Sequence, residues 1–513
     1  MSQESRLICP WLSLLPARSA ALALFVAILL AGGCNSSEDA ENNDGSGGSS
    51  APQDGDPANG NLDGSVDLGL PYRDGSTSET AKKLGDLFAE ARQPKDLDKE
   101  RERYAMHLLR SADENERKGY FDIARENREE VVRIRKLLYG DNSWQVTSAL
   151  VDLDHHKWYA ALSDDQRRVL DDSSELERNA VDFYNKGEYA KATSEALQVL
   201  RVWQDQGGEG QVHYAFLLYV LAGYQQRQSD FQRAESYHLE SVKLFGALLG
   251  EHHPDYASVL DNLAVMYQDQ GHFESAKRNF LQANEIRAET LGTEHFGYAL
   301  GLNNLAALYQ DMGELGAAEP LFKQVLDILG RHEAVGEQHI YYAAALKNIA
   351  VVRLERGDLD TAQSLLTRAM KIHKKALRGV KHINYAIVLR VMGRIEQQRR
   401  DYAKAEGLLQ QSLGVLGRSA ARRNPAYAKT QLILGQVYLA QGKYEAAESP
   451  LKDSLANMQI LLGPKHPKLA RNLNSYAELL RKTGRAGEAN TLEARAREIE
   501  ALMSRQPGST TLR

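Results

Sequence analysis

The chain has 513 residues and only 13 prolines, several of them within the first eighty positions. So long a stretch with few helix breakers argues against an all-β protein, and a formal charge of −6 argues against a polybasic nucleic-acid binder. The N-terminus carries Arg6 and Arg18, then an apolar run at 20–31, then Gly32, Gly33 and Cys34. A basic segment, an apolar core and small residues are the three parts of a secretory signal. The run is shorter than the roughly 20 apolar residues of a spanning helix, so residues 1–33 are predicted to be a cleaved signal peptide.

Leu30, Ala31, Gly32 and Gly33 directly before Cys34 resemble the lipobox of bacterial lipoproteins, with one glycine more than the usual Leu-Ala-Gly-Cys. The resemblance implies that Cys34 is lipidated and becomes the first mature residue. It also implies an anchor in the bacterial cell envelope, facing the periplasm. Asn35, not Asp, follows the cysteine, so by the same analogy the inner-membrane retention signal is absent. Ala31 and Gly33 equally suit an ordinary signal-peptidase cut, which would leave a soluble secreted or periplasmic form. Either cut removes Cys9 and leaves Cys34 as the lone cysteine. A free thiol is a liability in an oxidising compartment, and acylation removes it.

Residues 34–80 are rich in Ser, Gly, Asn, Asp and Pro. They lack the apolar periodicity needed to offset the entropy of ordering. A disordered acidic tether is predicted, reaching roughly 35–40 Å as a random coil. It carries ten acidic residues against Arg73 alone, so the chain's acidity belongs to the tether and the remainder is close to neutral.

Residues 81–175 read as helical. Ala112 and Ala124, twelve apart around Gly119, mark one degenerate repeat at 105–138, and an irregular insert with Trp144 and Trp158 follows. From there self-similarity governs. A Tyr-Ala or Leu-Ala pair recurs at Tyr214, Tyr256, Tyr298, Tyr342, Tyr385, Tyr427 and Leu469. Seven positions beyond each paired alanine stands Ala222, Ala264, Ala306, Ala350, Gly393, Gly435 or Ala477, and Ala180 begins that series. Twelve further on comes an alanine each time, from Ala192 to Ala489. Between the two lies a turn signal, as at Gly271, Gly313 and Gly442. Each unit therefore reads as two amphipathic helices joined at a glycine able to take the left-handed conformation. They cross closely where the side chains are small. Pro320 and Pro450 are expected near the first turn of the second helix, where a missing N–H is tolerable.

This spacing resembles the tetratricopeptide repeat. The period of about 42 and the motif running Leu249-Gly-Glu-His-His-Pro to Leu260-Asp-Asn-Leu-Ala are similar to its kinesin-light-chain variety. The resemblance implies an all-α fold, a right-handed α-solenoid of eight tandem helix pairs over 176–500, with a flexible tail at 501–513.

No catalytic or cofactor motif emerges. His253, His295, His339, His382 and His466 recur in the loops between repeats. Successive repeats stack on the order of 10 Å apart, too far for these rings to share one metal ion, so they read as loop caps. Gly435 to Lys443 has the wrong glycine spacing for a phosphate loop and no Ser or Thr after the lysine. No cofactor and no metal are expected, and the chain is read as no enzyme.

The functional candidate is the concave face. In this family the first helix of each unit lines the groove, and its inward positions flank the Leu-Ala pair. Here those positions hold Asn262, Asn303, Asn304, Lys347, Asn348, Arg390, Arg394 and Lys429, with Asp261, Arg471 and Asn474 beside them. In the kinesin-light-chain family, equivalent asparagines and basic residues hold an extended peptide. An amide can bond a peptide backbone from both sides, and Arg can grip a carboxylate in two places. The blander alternative is that the asparagines bond within the array and the cations are a solvated face. The reading is a scaffold or adaptor for a protein or peptide partner, acidic in character. The alternative is a regulatory subunit whose catalytic chain is separate.

Overall fold

The computed structural model describes residues 94–332, 336–376, 383–417, 425–464, 466 and 468–504. Cys34, the signal, the tether, His382 and the tail at 505–513 lie outside them. The described residues fall into two units, divided after Asp141.

The first unit is a helix hairpin, α1 (Pro94–Arg117) and α2 (Phe121–Tyr139). It spans the stretch 105–138, where a degenerate repeat was expected. Ala112 and Ala124 are both fully buried where the helices cross. The turn needs a left-handed residue, and Gly119 supplies it at φ +79°. Arg128 is buried between Asp113, at 3.0 Å, and Glu116, at 3.4 Å.

The second unit begins with a single helix, α3 (Trp144–Ala161), and continues as eight helix pairs. These are α4 (Asp164–Asn185) with α5 (Tyr189–Asp205), α6 (Val212–Arg227) with α7 (Phe231–Leu249), and α8 (Pro254–Asp269) with α9 (Phe273–Thr290). Next come α10 (Phe296–Asp311) with α11 (Leu315–Arg331), α12 (Ile340–Glu355) with α13 (Leu359–Ala376), and α14 (Ile383–Gln398) with α15 (Tyr402–Leu416). The last are α16 (Pro425–Ala440) with α17 (Tyr444–Leu462) and α18 (Leu469–Lys482) with α19 (Ala486–Ser504). They are numbered units 1 to 8. The fold is an α-solenoid, as the repeat arithmetic predicts. The boundary placed at 176 falls inside α4, which starts twelve residues earlier.

The small-residue rule has a direct physical basis. Ala192, Ala234, Ala276, Ala318, Ala362, Ala405, Ala447 and Ala489 are all fully buried. A Cβ on Gly435 would lie 2.5 Å from Leu451 Cγ, and one on Gly393 would lie 2.8 Å from Leu409 Cγ. The two glycines thus mark the tightest helix crossings. Between the helices of a pair the turn residue is left-handed. It is glycine in six of the eight units, but Ser229 (φ +62°) in unit 2 and Arg400 (φ +64°) in unit 6.

The loop histidines are helix caps. The Nδ1 atoms of His253, His295 and His339 accept the backbone N–H of Asp255, Gly297 and Tyr341, and His466 accepts from Lys468. Each satisfies one of the donors that a helix start leaves open. Pro320 and Pro450 do not sit in a first turn. They lie a turn deeper, inside α11 and α17. The carbonyls they leave without a helical partner belong to Gly316 and Ala446, both exposed, where water replaces the lost bond.

The irregular insert, α3, packs along the loop edge of units 1 to 3. Trp144 donates its indole N–H to the Thr290 carbonyl at 3.3 Å. Ser148 Oγ sits 2.8 Å from His253 Nε2, and the Tyr159 hydroxyl donates to Asp171. Burial under this helix pushes the His253 imidazole down to about 4.

Candidate functional site

The first helices of the units line the inner face, as expected. Units 3 to 8 enclose a half-open cavity of about 750 Å³. Its walls carry six cationic side chains, Lys347, Arg390, Arg394, Lys429, Lys468 and Arg471, and four acidic ones, Asp311, Glu355, Glu478 and Glu500. Positive charge is therefore in surplus on a concave surface, which raises the local concentration of anions.

The arginines crowd one another. Burial first, and then the neighbouring Arg471, lower the Arg394 guanidinium to about 10. Arg471 is lowered by burial and by Arg390, while Glu355 pulls it back up. Glu355 lies 4.0 Å from Arg394. Its carboxyl is pushed up by burial against the pull of that arginine. The acid is shared among more cations than it can neutralise.

Of the residues singled out from the sequence, the cavity brings together Lys347, Asn348, Arg390, Arg394 and Lys429, together with Arg471 and Asn474. Asn262, Asn303 and Asn304 do not line it. Asn262 donates to the Ser258 carbonyl of its own helix at 2.9 Å. Asn303 accepts from Asn348 at 2.8 Å. Asn304 bonds Asp261, which pairs with Arg287 at 2.7 Å. Asn303, Asn304 and Asn348 thus tie successive units together, while Asn262 bonds within its own helix.

Sequence reasoning missed what closes the cavity. The last turn of α17 and the residues His466 and Lys468 before α18 reach back to units 2, 3 and 4. Lys468 Nζ donates to Asp311 Oδ2 at 2.7 Å. The Ser229 hydroxyl donates to the Ile460 carbonyl at 2.8 Å and to that of Leu461 at 3.2 Å. His466, buried there and beside Lys468, is pushed down to about 3. On the receiving side Gln226 donates to Asp269 at 2.6 Å and Gln268 to Asp311 at 2.7 Å. Burial pushes the Asp311 carboxyl up, but Lys468 and Gln268 together hold it below the usual carboxylate range. One sequence signal was available. An acidic residue ends three consecutive first helices, at Asp269, Asp311 and Glu355.

Among the described residues, no three His, Cys, Asp or Glu side chains are placed to hold a metal ion, and no helix is long and apolar enough to cross a membrane.

Models of the tetratricopeptide repeat match residues 215–289, 341–418 and 426–499, and a second such model matches 299–341. Together they cover just over half of the chain. Among solved structures, a Rap protein complexed with Competence and Sporulation Factor is 15% identical, with a TM-score of 0.51 over 78% of this chain and 98% of that one. A Podosopora anserina putative kinesin light chain with nearly identical TPR-like repeats is 25% identical, with a TM-score of 0.32 over 40% of this chain and 97% of that one. A tetratricopeptide repeat protein from Parabacteroides merdae is 18% identical, with a TM-score of 0.38 over 59% of this chain and 99% of that one. No curated protein sequence is significantly similar. The repeat matches, the paired helices and their fully buried alanines agree, and the chain belongs to the tetratricopeptide repeat proteins.

Proposed function

We propose that this protein is an exported scaffold, lipid-anchored through Cys34, that binds an acidic segment of a protein partner in its concave cavity. The mechanism is stoichiometric binding without catalysis. The observation that carries it is the set of six cations against four acids, from successive units, on one concave wall. Arginines held this way grip carboxylates by paired N–H donors, at low entropic cost because the array already orders them. The Rap protein of similar fold is a complex with Competence and Sporulation Factor, so the fold serves a binding role in that protein. The anchor rests on the sequence before Cys34, and the acidic tether would hold the array off the membrane.

A cross-linked pull-down from envelope extracts tests the groove, with the mature chain and an Arg390→Glu/Arg394→Glu variant of unchanged helicity as baits. A partner captured by the first and lost by the second is expected, with weaker capture at high salt. Equal capture by both would place the contact elsewhere on the array. Mass spectrometry of the mature N-terminus should show a diacylated Cys34, and an uncleaved Met1 or an unacylated cysteine would refute the anchor. A regulatory subunit would use the same cavity, and it differs in that the captured partner's turnover changes on binding.

A further inference from the structure

Two acids among cations are treated in opposite ways by this array. Glu319, on α11, is held by Lys323 at 2.9 Å and by Arg353 and Arg356. Lys323, with those arginines beside it, keeps the carboxyl below its usual range although burial opposes them. Glu355, which ends α12, is paired with Arg394 alone, at 4.0 Å. That is beyond hydrogen-bond reach. Among the described residues, neither the Glu355 carboxylate nor the Arg394 guanidinium has a hydrogen-bond partner. Their side chains are 31% and 20% exposed, and both line the concave cavity, so a solute there reaches both.

The surroundings of Glu355 are as unequal. Arg394 of α14 and Arg471 of α18 favour its ionised form, and Asp311 of α10 opposes it. Helices α11 and α13 also pack on α12, but among the described residues they add no charge that acts on Glu355. Lys347, Arg390 and Lys429 line the same wall. Burial outweighs the two arginines and pushes the carboxyl up. The acid is therefore loosely held.

A carboxylate entering the cavity can do better than Glu355. It can accept two N–H donors of one arginine at about 2.7–2.9 Å, where Glu355 makes only the long contact. With the arginines taken, Glu355 is left facing Asp311 and the newcomer's own charge. Like charges favour the neutral acid.

We propose that Glu355 is an internal stand-in for the ligand's carboxylate: an acidic segment entering the cavity takes Arg394 and Arg471 from it, and Glu355 accepts a proton from the solvent as it gives them up. The stand-in rests on the binding role proposed above for that cavity, and the experiment separates the two. Proton uptake on binding fixes the sign of the pH dependence. The complex holds more protons than its separated parts, so affinity rises as pH falls, by at most tenfold per unit for one proton.

Titration calorimetry on the full chain tests this, with a peptide of Gly, Ser and Asp as the probe. Its aspartates stay ionised above pH 6, so they take up little. Repeating the titration at one pH in buffers of different ionisation heat counts the protons bound. The unaltered chain should take up a substantial fraction of one proton at pH 6.5, and should bind about threefold tighter at pH 6 than at pH 7.5. Glu355→Gln keeps the shape and removes the charge. It should bind the peptide about threefold tighter at pH 7.5, with the uptake lost.

Binding by the unaltered chain without proton uptake overturns the stand-in and leaves the acidic cavity standing. So does equal uptake by both chains, which places the proton elsewhere, or weaker binding by Glu355→Gln, which makes the acid a support of the site. A peptide that binds neither chain refutes the acidic cavity itself, and the stand-in falls with it.

Discussion

The inward positions of the first helices do different work in the two halves of the inner wall. In units 3 and 4 it holds Asn262, Asn303 and Asn304, whose amides bond Ser258, Asn348 and Asp261. In units 5 to 8 the neighbouring positions hold Lys347, Arg390, Arg394, Lys429 and Arg471, facing a cavity. One wall bonds to itself across neighbouring units. The other carries crowded like charges, which is unfavourable for stability and useful for recognition. Asn303, Asn304 and Asn348 therefore bond between units here, while the basic residues of the later units face the cavity.

That contrast can be broken directly. Asp261→Ala leaves Arg287 buried without its carboxylate, and should cost about 3–5 kcal/mol. Arg394→Ala on the other wall relieves repulsion, and its effect should stay within about 1 kcal/mol. Denaturant melts of the two variants check the comparison, and equal losses would erase it.

Next in size are the helix crossings on which both halves depend. Gly435→Ala forces a Cβ to 2.5 Å from Leu451 Cγ, costing about 1–3 kcal/mol by overpacking. Gly316→Ala, where a Cβ meets nothing within 4 Å, should be neutral or stabilising. Thermal melts of this pair test whether crossing distance, not glycine content, sets the penalty.

Acid sharpens the contrast between covered and open edges. His238 and His466 are pushed down to about 3 and His253 to about 4, each chiefly by burial. Their native pKa values lie below the unfolded value of about 6.5, so the unfolded chain takes up protons first as pH falls. Their contribution is complete above pH 6.5. It declines below that by about 1.4 kcal/mol per pH unit for each histidine, until its native pKa is reached. The melting temperature should fall between pH 7 and 5. His253→Asn, which keeps a capping acceptor that cannot titrate, should flatten that fall in part.

The smallest effect is expected at the strained turns. Arg400→Gly puts glycine where φ is +64°, and should stabilise by about 1 kcal/mol. Ser229→Gly should do so as well, less whatever the lost bonds to the Ile460 and Leu461 carbonyls contributed, and calorimetry on the two variants measures that difference.

Much of this was written in the residues. Ala180, Ala192 and their successors at every unit set the helix pairs, because only small side chains let two helices approach so closely. The histidines before α8, α10, α12 and α18 marked caps, because an Nδ1 acceptor two residues upstream of an open N–H is a local arrangement. Asn303 and Asn304 carried no such mark. A position on the inner face follows from helical period, but whether an amide meets a neighbour's amide or a ligand depends on the adjoining unit. Pro320 and Pro450 were placed a turn too early, because the freed carbonyls fall on exposed backbone and their cost does not show in the sequence.

The sequence by itself determined the solenoid and the spacing of its helix pairs, since both follow from local period and side-chain size. Tertiary structure alone decided that the stack curls until unit 7 meets unit 2 and the start of unit 8 meets unit 4. Curvature is the sum of small rotations at every crossing, and no single repeat encodes it. Only that accumulated turn brings Lys468 to Asp311 and Ser229 to Ile460, and makes a row of separate charges into one cavity.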